Sequence, residues 1–222
     1  MKTAVILAGC GRGDGTEITE AVSVLVHAAR LGMSVRCFAP DQESFDTINH
    51  ATSEKVPGTR NLMVEAARIS RGDITPLSQL YARDFDALVF PGGFGAAKNL
   101  CNFATAGESC TAHPEVTRIV QDFASARKPM GFICIAPVLG ARVLGTPGGK
   151  HCCELTIGTD ASTASKIESM GAKHIAKLTT ECHVDTQHKV VSTPAYMHEA
   201  SPFEVFTGIG KLMDEVKRLA QA

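Results

Sequence analysis

The sequence predicts an α/β fold: a doubly wound, mostly parallel sheet with helices on both faces and a β-hairpin near the C-terminus. Three observations carry this reading. Short β-branched and apolar runs alternate with stretches whose apolar positions recur at three and four residues, the order that buries a parallel sheet between helices. Glycine or proline closes many of these runs. The chain has 222 residues, 44% apolar and 20% charged, which suits a single domain, 1–222, with its own core.

The elements follow in order. Residues 3–8, Thr-Ala-Val-Ile-Leu-Ala, form a continuous apolar run fit for a strand buried on both faces. A glycine-rich loop, 9–15, comes next. Ile18, Ala21, Val22, Leu25 and Ala29 then mark a helix from Thr16, closed near Gly32, and Asp14 with Glu17 has the spacing of a capping box. Residues 34–38 and 86–90 read as further strands, ending at Pro40 and at Pro91-Gly92-Gly93. Residues 114–126 are helical, and 129–133 form a strand broken at Cys134 by a helix over 136–144. The last third holds a strand at 155–157 and a helix at 161–170. Runs 182–184 and 189–192 follow, joined by the turn Asp185-Thr186-Gln187-His188. A final helix, opened by His198-Glu199, carries Phe203, Phe206, Ile209, Leu212 and Val216 on one stripe. Residues 42–80 are the least regular stretch, expected as an insertion beside the site or a dimer contact through an apolar stripe at Leu62, Met63, Ala66, Ala67 and Ile69.

Composition excludes several classes. Lys plus Arg (22) nearly balances Asp plus Glu (23), so no global field gathers nucleic acid or an anionic membrane. No stretch approaches the roughly 18 apolar residues of a membrane span. The eight cysteines are expected as reduced thiols, because a chain this large and apolar does not need disulfide staples. The first ten residues imitate a lipoprotein signal, but their apolar run is too short for export. A cytoplasmic protein is the expectation.

Three segments carry possible chemistry. Cys134 follows an apolar strand and precedes Ile135-Ala136-Pro137, the strand-turn-helix pattern of a nucleophile elbow, where a helix N-terminus favours a thiolate. A buried structural cysteine is the bland alternative, and this segment alone leaves the two even. Gly92 and Gly93 also follow a strand, where backbone N–H groups can approach a ligand; a plain flexible turn is the alternative. Glu17 and Glu20 share a helix face beyond strand one, so either one carboxyl points at the strand ends or both are solvated. The loop 9–15 fails the dinucleotide pattern G-x-G-x-x-G from either starting glycine, which disfavours NAD even with Asp41 after the second strand. His151-Cys152-Cys153 and Cys182-His183 lack the spacing of a good zinc site, and no metal is expected.

Together, Glu17-x-x-Glu20, Phe90-Pro91-Gly92-Gly93 and the Cys134 elbow resemble the DJ-1/PfpI superfamily, relatives of the class I glutamine amidotransferases. Gly9-Cys10-Gly11, Asp14-Gly15-Thr16-Glu17-Ile18, Cys37-Phe38-Ala39-Pro40-Asp41, the stretch 91–100, Cys134-Ile135-Ala136-Pro137 and Thr193-Pro194-Ala195-Tyr196-Met197 resemble the ES1/ElbB family more narrowly, across nearly the whole chain. The resemblance implies a flavodoxin-like fold and a homodimer. It makes Cys134 the elbow nucleophile with Glu20 beside it, Glu17 in support, and Gly92, Gly93 and the Ile135 amide as oxyanion contacts. It further implies a glyoxalase-type lyase that needs no cofactor and acts on small 2-oxoaldehydes such as glyoxal and methylglyoxal. Two departures stand out: Ile135 replaces the histidine that follows the cysteine in PfpI-type proteases, and no later H-x-E pair exists. The alternatives are a redox-sensing or binding protein using the same cysteine, and a degenerate amidotransferase-like domain.

Overall fold

The computed structural model describes residues 1–146 and 153–222, so His151 and Cys152, two of the five residues of the zinc reading, lie outside the described residues. Along the chain run β1 (Lys2–Ile6), α1 (Ile18–Arg30), β2 (Ser34–Ala39), the hairpin β3 (Thr47–Asn49) and β4 (Glu54–Val56), α2 (Leu62–Ala66) and β5 (Ile74–Pro76). Then come β6 (Ala87–Phe90), α3 (Phe94–Lys98), α4 (Phe103–Ala106), α5 (Pro114–Ser125), β7 (Met130–Ile133) and α6 (Pro137–Leu144). The last part holds β8 (Glu154–Leu155), α7 (Ala161–Ser169), β9 (Lys173–His174), β10 (His183–Asp185), β11 (Val190–Thr193) and α8 (Pro202–Gln221). The main sheet has the order β10-β11-β7-β6-β1-β2-β5. Every neighbouring pair in it is parallel except β10 with β11, the hairpin that the sequence predicts. From β1 the chain winds outward to β2 and β5, then returns to β6 on the other flank of β1. The strand order therefore reverses at the β1/β6 boundary, where the carboxyl ends open a crevice.

Period-two alternation builds a core on each face. Ala4 and Ile6 of β1, Leu88 and Phe90 of β6, and Met130 and Phe132 of β7 point to one face, where α5 and α6 bring Ile119, Phe123 and Leu139. Val5, Val89 and Ile133 point to the other, where α1 and α8 bring Val24, Ala28, Ile209 and Leu212. Phe90 and Phe132 stack with ring centroids 5.2 Å apart, locking together the two strands that lead into the site.

Four expectations change. Helix α1 begins at Ile18 and is capped by Glu17, whose Oε2 accepts the Glu20 N–H at 2.7 Å; Asp14 instead accepts the Ile48 N–H and ties the β3–β4 hairpin to the glycine loop. The 42–80 stretch supplies the edge strand β5, and its apolar stripe folds back on the chain's own sheet, with Leu62, Ala66 and Ile69 buried. Met63 and Ala67 of the stripe stay half-buried. Residues 154–155 pair with β9 in a separate two-stranded sheet rather than in the main one. Finally, α8 starts at Pro202 with a Ser201–Glu204 capping box, so His198 and Glu199 precede it instead of opening it.

Phe132 is fully buried and holds the two site-bearing strands in register, so Phe132→Ala should cost about 3–5 kcal/mol. The check is the urea midpoint at unchanged slope. A loss below about 1 kcal/mol would mean that this layer is not close-packed.

Candidate active site

The carboxyl ends of β1, β6, β7 and β11 meet around one buried acid. Glu20, in the first turn of α1, has no solvent exposure. Its Oε2 accepts the Gly92 N–H at 2.8 Å, its Oε1 faces the Tyr196 N–H at 3.4 Å, and the Cys134 thiol hydrogen-bonds it. Glu17 is held by the backbone: its N–H donates to the Gly92 carbonyl at 3.0 Å while its carboxylate caps the helix. The two acids of the E-x-x-E pair thus have different jobs. Glu17 fixes the start of α1, and Glu20 reaches the sulfur.

Cys134 occupies the left-handed region with φ at 61°, unusual for a residue with a side chain, and is 7% exposed. Such strain costs on the order of 1–3 kcal/mol and persists only where the surroundings over-determine it. Here the Cys134 N–H donates to the Thr193 carbonyl at 2.9 Å, and the Ala136 N–H closes the turn onto the Ile133 carbonyl at 2.9 Å. Pro137 then starts α6. Gly92 makes the close approach possible: a Cβ there would lie 2.5 Å from the Cys134 Cβ and 2.8 Å from Glu20 Oε2. The elbow expected from the sequence is present, with its side chain at the strand ends.

The electrostatics run against the expectation of a thiolate-favouring helix N-terminus. Burial pushes the Cys134 thiol well above the usual range, and the Glu20 carboxylate adds to this, while the Gly93 and Ile135 amides work in the opposite direction on the sulfur. Glu20 is itself pushed up to about 8, first by burial and then by the Glu17 carboxylate, with the Gly92 amide and the Cys134 thiol opposing. At neutral pH the arrangement is therefore a protonated carboxyl against a thiol, with two amides ready to receive negative charge at the sulfur. Of the three oxyanion contacts expected, only the Gly93 and Ile135 amides face the sulfur. The Gly92 N–H is committed to Glu20.

Cys134 opens into a cleft of about 1040 Å³, with Ile135 at its base and Arg12, Phe94, Phe103, Lys166, Tyr196 and His198 among its walls. His198 is a cleft residue that sequence reasoning assigned to a helix start. Its Nε2 accepts the Thr159 backbone N–H at 3.1 Å and lies 2.9 Å from the Thr159 hydroxyl; its Nδ1 lies 3.1 Å from the Thr179 hydroxyl. A backbone N–H can only donate, so the ring proton sits on Nδ1 and both nitrogens are occupied. His198 is positioned as a wall strut, not as a base for Cys134. Among the described residues no group of histidine, cysteine and carboxylate side chains is arranged to hold a metal. His183, from the zinc reading, instead meets Glu154 at 2.9 Å.

No family model matches the chain. It is 44% identical over 228 aligned positions to the mitochondrial ES1 protein homolog of Rattus norvegicus, covering 98% of this chain and 84% of that protein. It is 44% identical, with 98% and 83% covered, to the human glutamine amidotransferase-like class 1 domain-containing protein 3, also named mitochondrial. The crystal structure of an Ehrlichia chaffeensis isoprenoid biosynthesis protein with an amidotransferase-like domain superposes with a TM-score of 0.91 at 35% identity, over 99% of each chain. The expected cytoplasmic location is corrected here, since both curated relatives are named mitochondrial.

The raised Glu20 gives a pH signature. The folded chain holds this proton up to about pH 8, whereas an unfolded Glu releases it near 4.5, so between those values the folded state binds more protons. Glu20's contribution to stability is therefore present below about 4.5 and is lost as pH rises through about 8. Glu20→Gln removes that titration, so its stability relative to the parent chain should climb across the window in urea titrations. Parallel curves would show that Glu20 ionises in the fold as it does in the unfolded chain.

Proposed function

The chain belongs to the ES1 family of glutamine amidotransferase-like proteins with the DJ-1/PfpI fold, and from that membership and the Cys134–Glu20 pair we propose a cofactor-independent glyoxalase acting on small 2-oxoaldehydes. The observation that carries the reading is a cysteine at a strained elbow in direct hydrogen bond with a buried, proton-holding acid at the base of an open cleft. The sulfur adds to the aldehyde carbon of methylglyoxal or glyoxal. The thiol proton passes through Glu20 to the carbonyl oxygen, giving a hemithioacetal, and the Gly93 and Ile135 amides receive the negative charge that develops on the way. Glu20 then gives up its remaining proton to water and, as carboxylate, removes the C–H proton and returns it at the neighbouring carbon, while the hydroxyl proton moves to the neighbouring carbonyl oxygen, turning the hemithioacetal into a thioester. Water hydrolyses the thioester, releasing a hydroxy acid and the free thiol. The carbon skeleton is oxidised at one position and reduced at the next, so no external electron acceptor enters.

The test is methylglyoxal consumption without added glutathione. Cys134→Ala should abolish turnover, and Glu20→Gln should lower it by about 10²–10⁴-fold, the usual share of a general acid–base. Full activity in Cys134→Ala would overturn the reading. The burial of the thiol favours a second reading, a redox sensor without turnover; it predicts an inactive parent chain whose Cys134 takes up oxygen from peroxide.

We also propose a homodimer through α1. Ile18, Val22 and Val26 recur every fourth residue on its outer face and are 43–47% exposed, an uncharged apolar stripe that is self-complementary across a two-fold axis. Light scattering should give twice the 23.5 kDa chain mass, and Val22→Glu should give a monomer. A monomeric parent chain refutes it.

A further inference from the structure

A second pair of sulfurs lies apart from the elbow. Residues 100–113 leave the core and return to it as a closed loop: the His113 N–H donates to the Leu100 carbonyl at 2.8 Å, Cys101 bridges Ala112 in antiparallel fashion, and the Asn102 N–H donates to the Thr111 carbonyl at 3.2 Å. This stitching brings Cys101 and Cys110 together in the core, both buried and in side-chain hydrogen bond with each other. The Cys101 thiol also reaches the Ala96 carbonyl at 3.3 Å, and the Cys110 sulfur lies 3.8 Å from the Met170 sulfur. The segment between the two cysteines holds α4, whose Phe103 and Ala104 line the cleft above Cys134.

We propose that Cys101 and Cys110 are a redox-active dithiol that closes to an intrachain disulfide, with hydrogen peroxide as the oxidant. The bridge of Cys101 to Ala112 holds the two cysteines on one side of the ladder at the base of the loop, within reach of each other for a disulfide to close when the loop moves. The pair is also chemically unequal. The hydrogen bond between the two sulfurs lowers the Cys110 thiol against burial, and the Arg142 guanidinium acts in the same direction. Cys101 is pushed up by the same bond and by burial. Cys110, which faces the Arg142 charge, is the attacking sulfur, and Cys101, whose thiol is bonded to the Ala96 carbonyl, the resolving one. The Cys110 thiolate attacks the peroxide oxygen, breaking the O–O bond to give a sulfenic acid and hydroxide. The Cys101 sulfur then displaces the sulfenic hydroxide, and its proton ends in water. The sum is two thiols and one peroxide to one disulfide and two waters. Because both sulfurs are buried, oxidation proceeds through local opening of the 100–113 loop. The product fixes covalently the segment that carries the Phe103 wall of the cleft. None of this depends on the chemistry proposed for Cys134.

The sequence makes the test clean. Lys98 and Arg118 bracket both cysteines, so trypsin releases them in one peptide, 99–118, which contains no methionine and no other cysteine. The folded parent chain is treated with hydrogen peroxide, denatured, alkylated with iodoacetamide and digested. Peptide 99–118 is expected to be two hydrogens lighter and unalkylated, and dithiothreitol before alkylation should restore two alkyl groups. In Cys101→Ser, Cys110 should be trapped by dimedone as the sulfenic acid. Two alkyl groups after peroxide, or added oxygens without ring closure in the parent chain, would overturn the proposal. So would a Cys101→Ser chain whose Cys110 stays alkylatable, since it would remove the attacking sulfur.

Discussion

A carboxyl group with no access to water organises the crevice at the strand ends of this protein. Burying an unpaired carboxylate is expensive, and Glu20 avoids that cost in two ways: it keeps its proton to about pH 8, and it is hydrogen-bonded from three sides. Those three sides are the ends of three strands. Gly92 belongs to the β6 turn, Cys134 to the β7 elbow, and Tyr196 to the turn after β11. A single side chain from the helix behind β1 thereby fastens four chain segments that are distant in sequence. The strain at Cys134 and at Ala195, the latter with φ at 46°, is held by these same bonds.

The competition at Cys134 is settled by magnitude. A helix N-terminus contributes about 0.3–1 kcal/mol at an ordinary site, less than the 1.36 kcal/mol that corresponds to one pKa unit. Burial beside a second acid outweighs it, and the thiol stays protonated in the resting chain. Among the described residues no histidine is placed to serve as its base, and Glu20, with its own raised pKa, is the group able to accept and donate a proton near neutral pH. The imidazole that does reach the cleft, on His198, is occupied at both nitrogens. Its surroundings demand small residues: Gly158, with φ at 98°, lets the 156–160 loop bring the Thr159 N–H to the ring, and a Cβ there would lie 2.7 Å from Nε2.

Much of this was legible in the sequence, and for definite reasons. The strands that were read correctly, β1, β2, β6, β7 and the β10–β11 hairpin, are apolar runs bounded by glycine, proline or a polar turn, so pattern and punctuation agree. The pieces that were misread lack one of the two. β5 is three residues, Ile74-Thr75-Pro76, too short to show a period, and only its pairing with β2 makes it a strand. The 62–69 stripe has helical spacing, but spacing cannot say whether an apolar face meets its own sheet or a partner.

The site divides along the same line. The sequence by itself determined that a cysteine follows one strand, a glycine pair another and two acids a third, and a doubly wound topology sends all three to one crevice. Residue pattern alone left open which acid reaches the sulfur; the family resemblance pointed to Glu20, and the tertiary structure supplies the reason. Glu17 sits one residue before the helix, where its carboxylate turns inward to cap the chain, whereas Glu20 has completed the first turn and projects between the strand ends. Likewise only packing decided that the Gly92 amide serves the carboxyl and not an oxyanion, that Tyr196 joins the cluster, and that Cys101 and Cys110 share one side of a closed loop. Each of these depends on distances between segments far apart in the chain or on the direction of a side chain at one turn. Such quantities are fixed by how two layers of helices close on the sheet, and no local pattern of residue types encodes them.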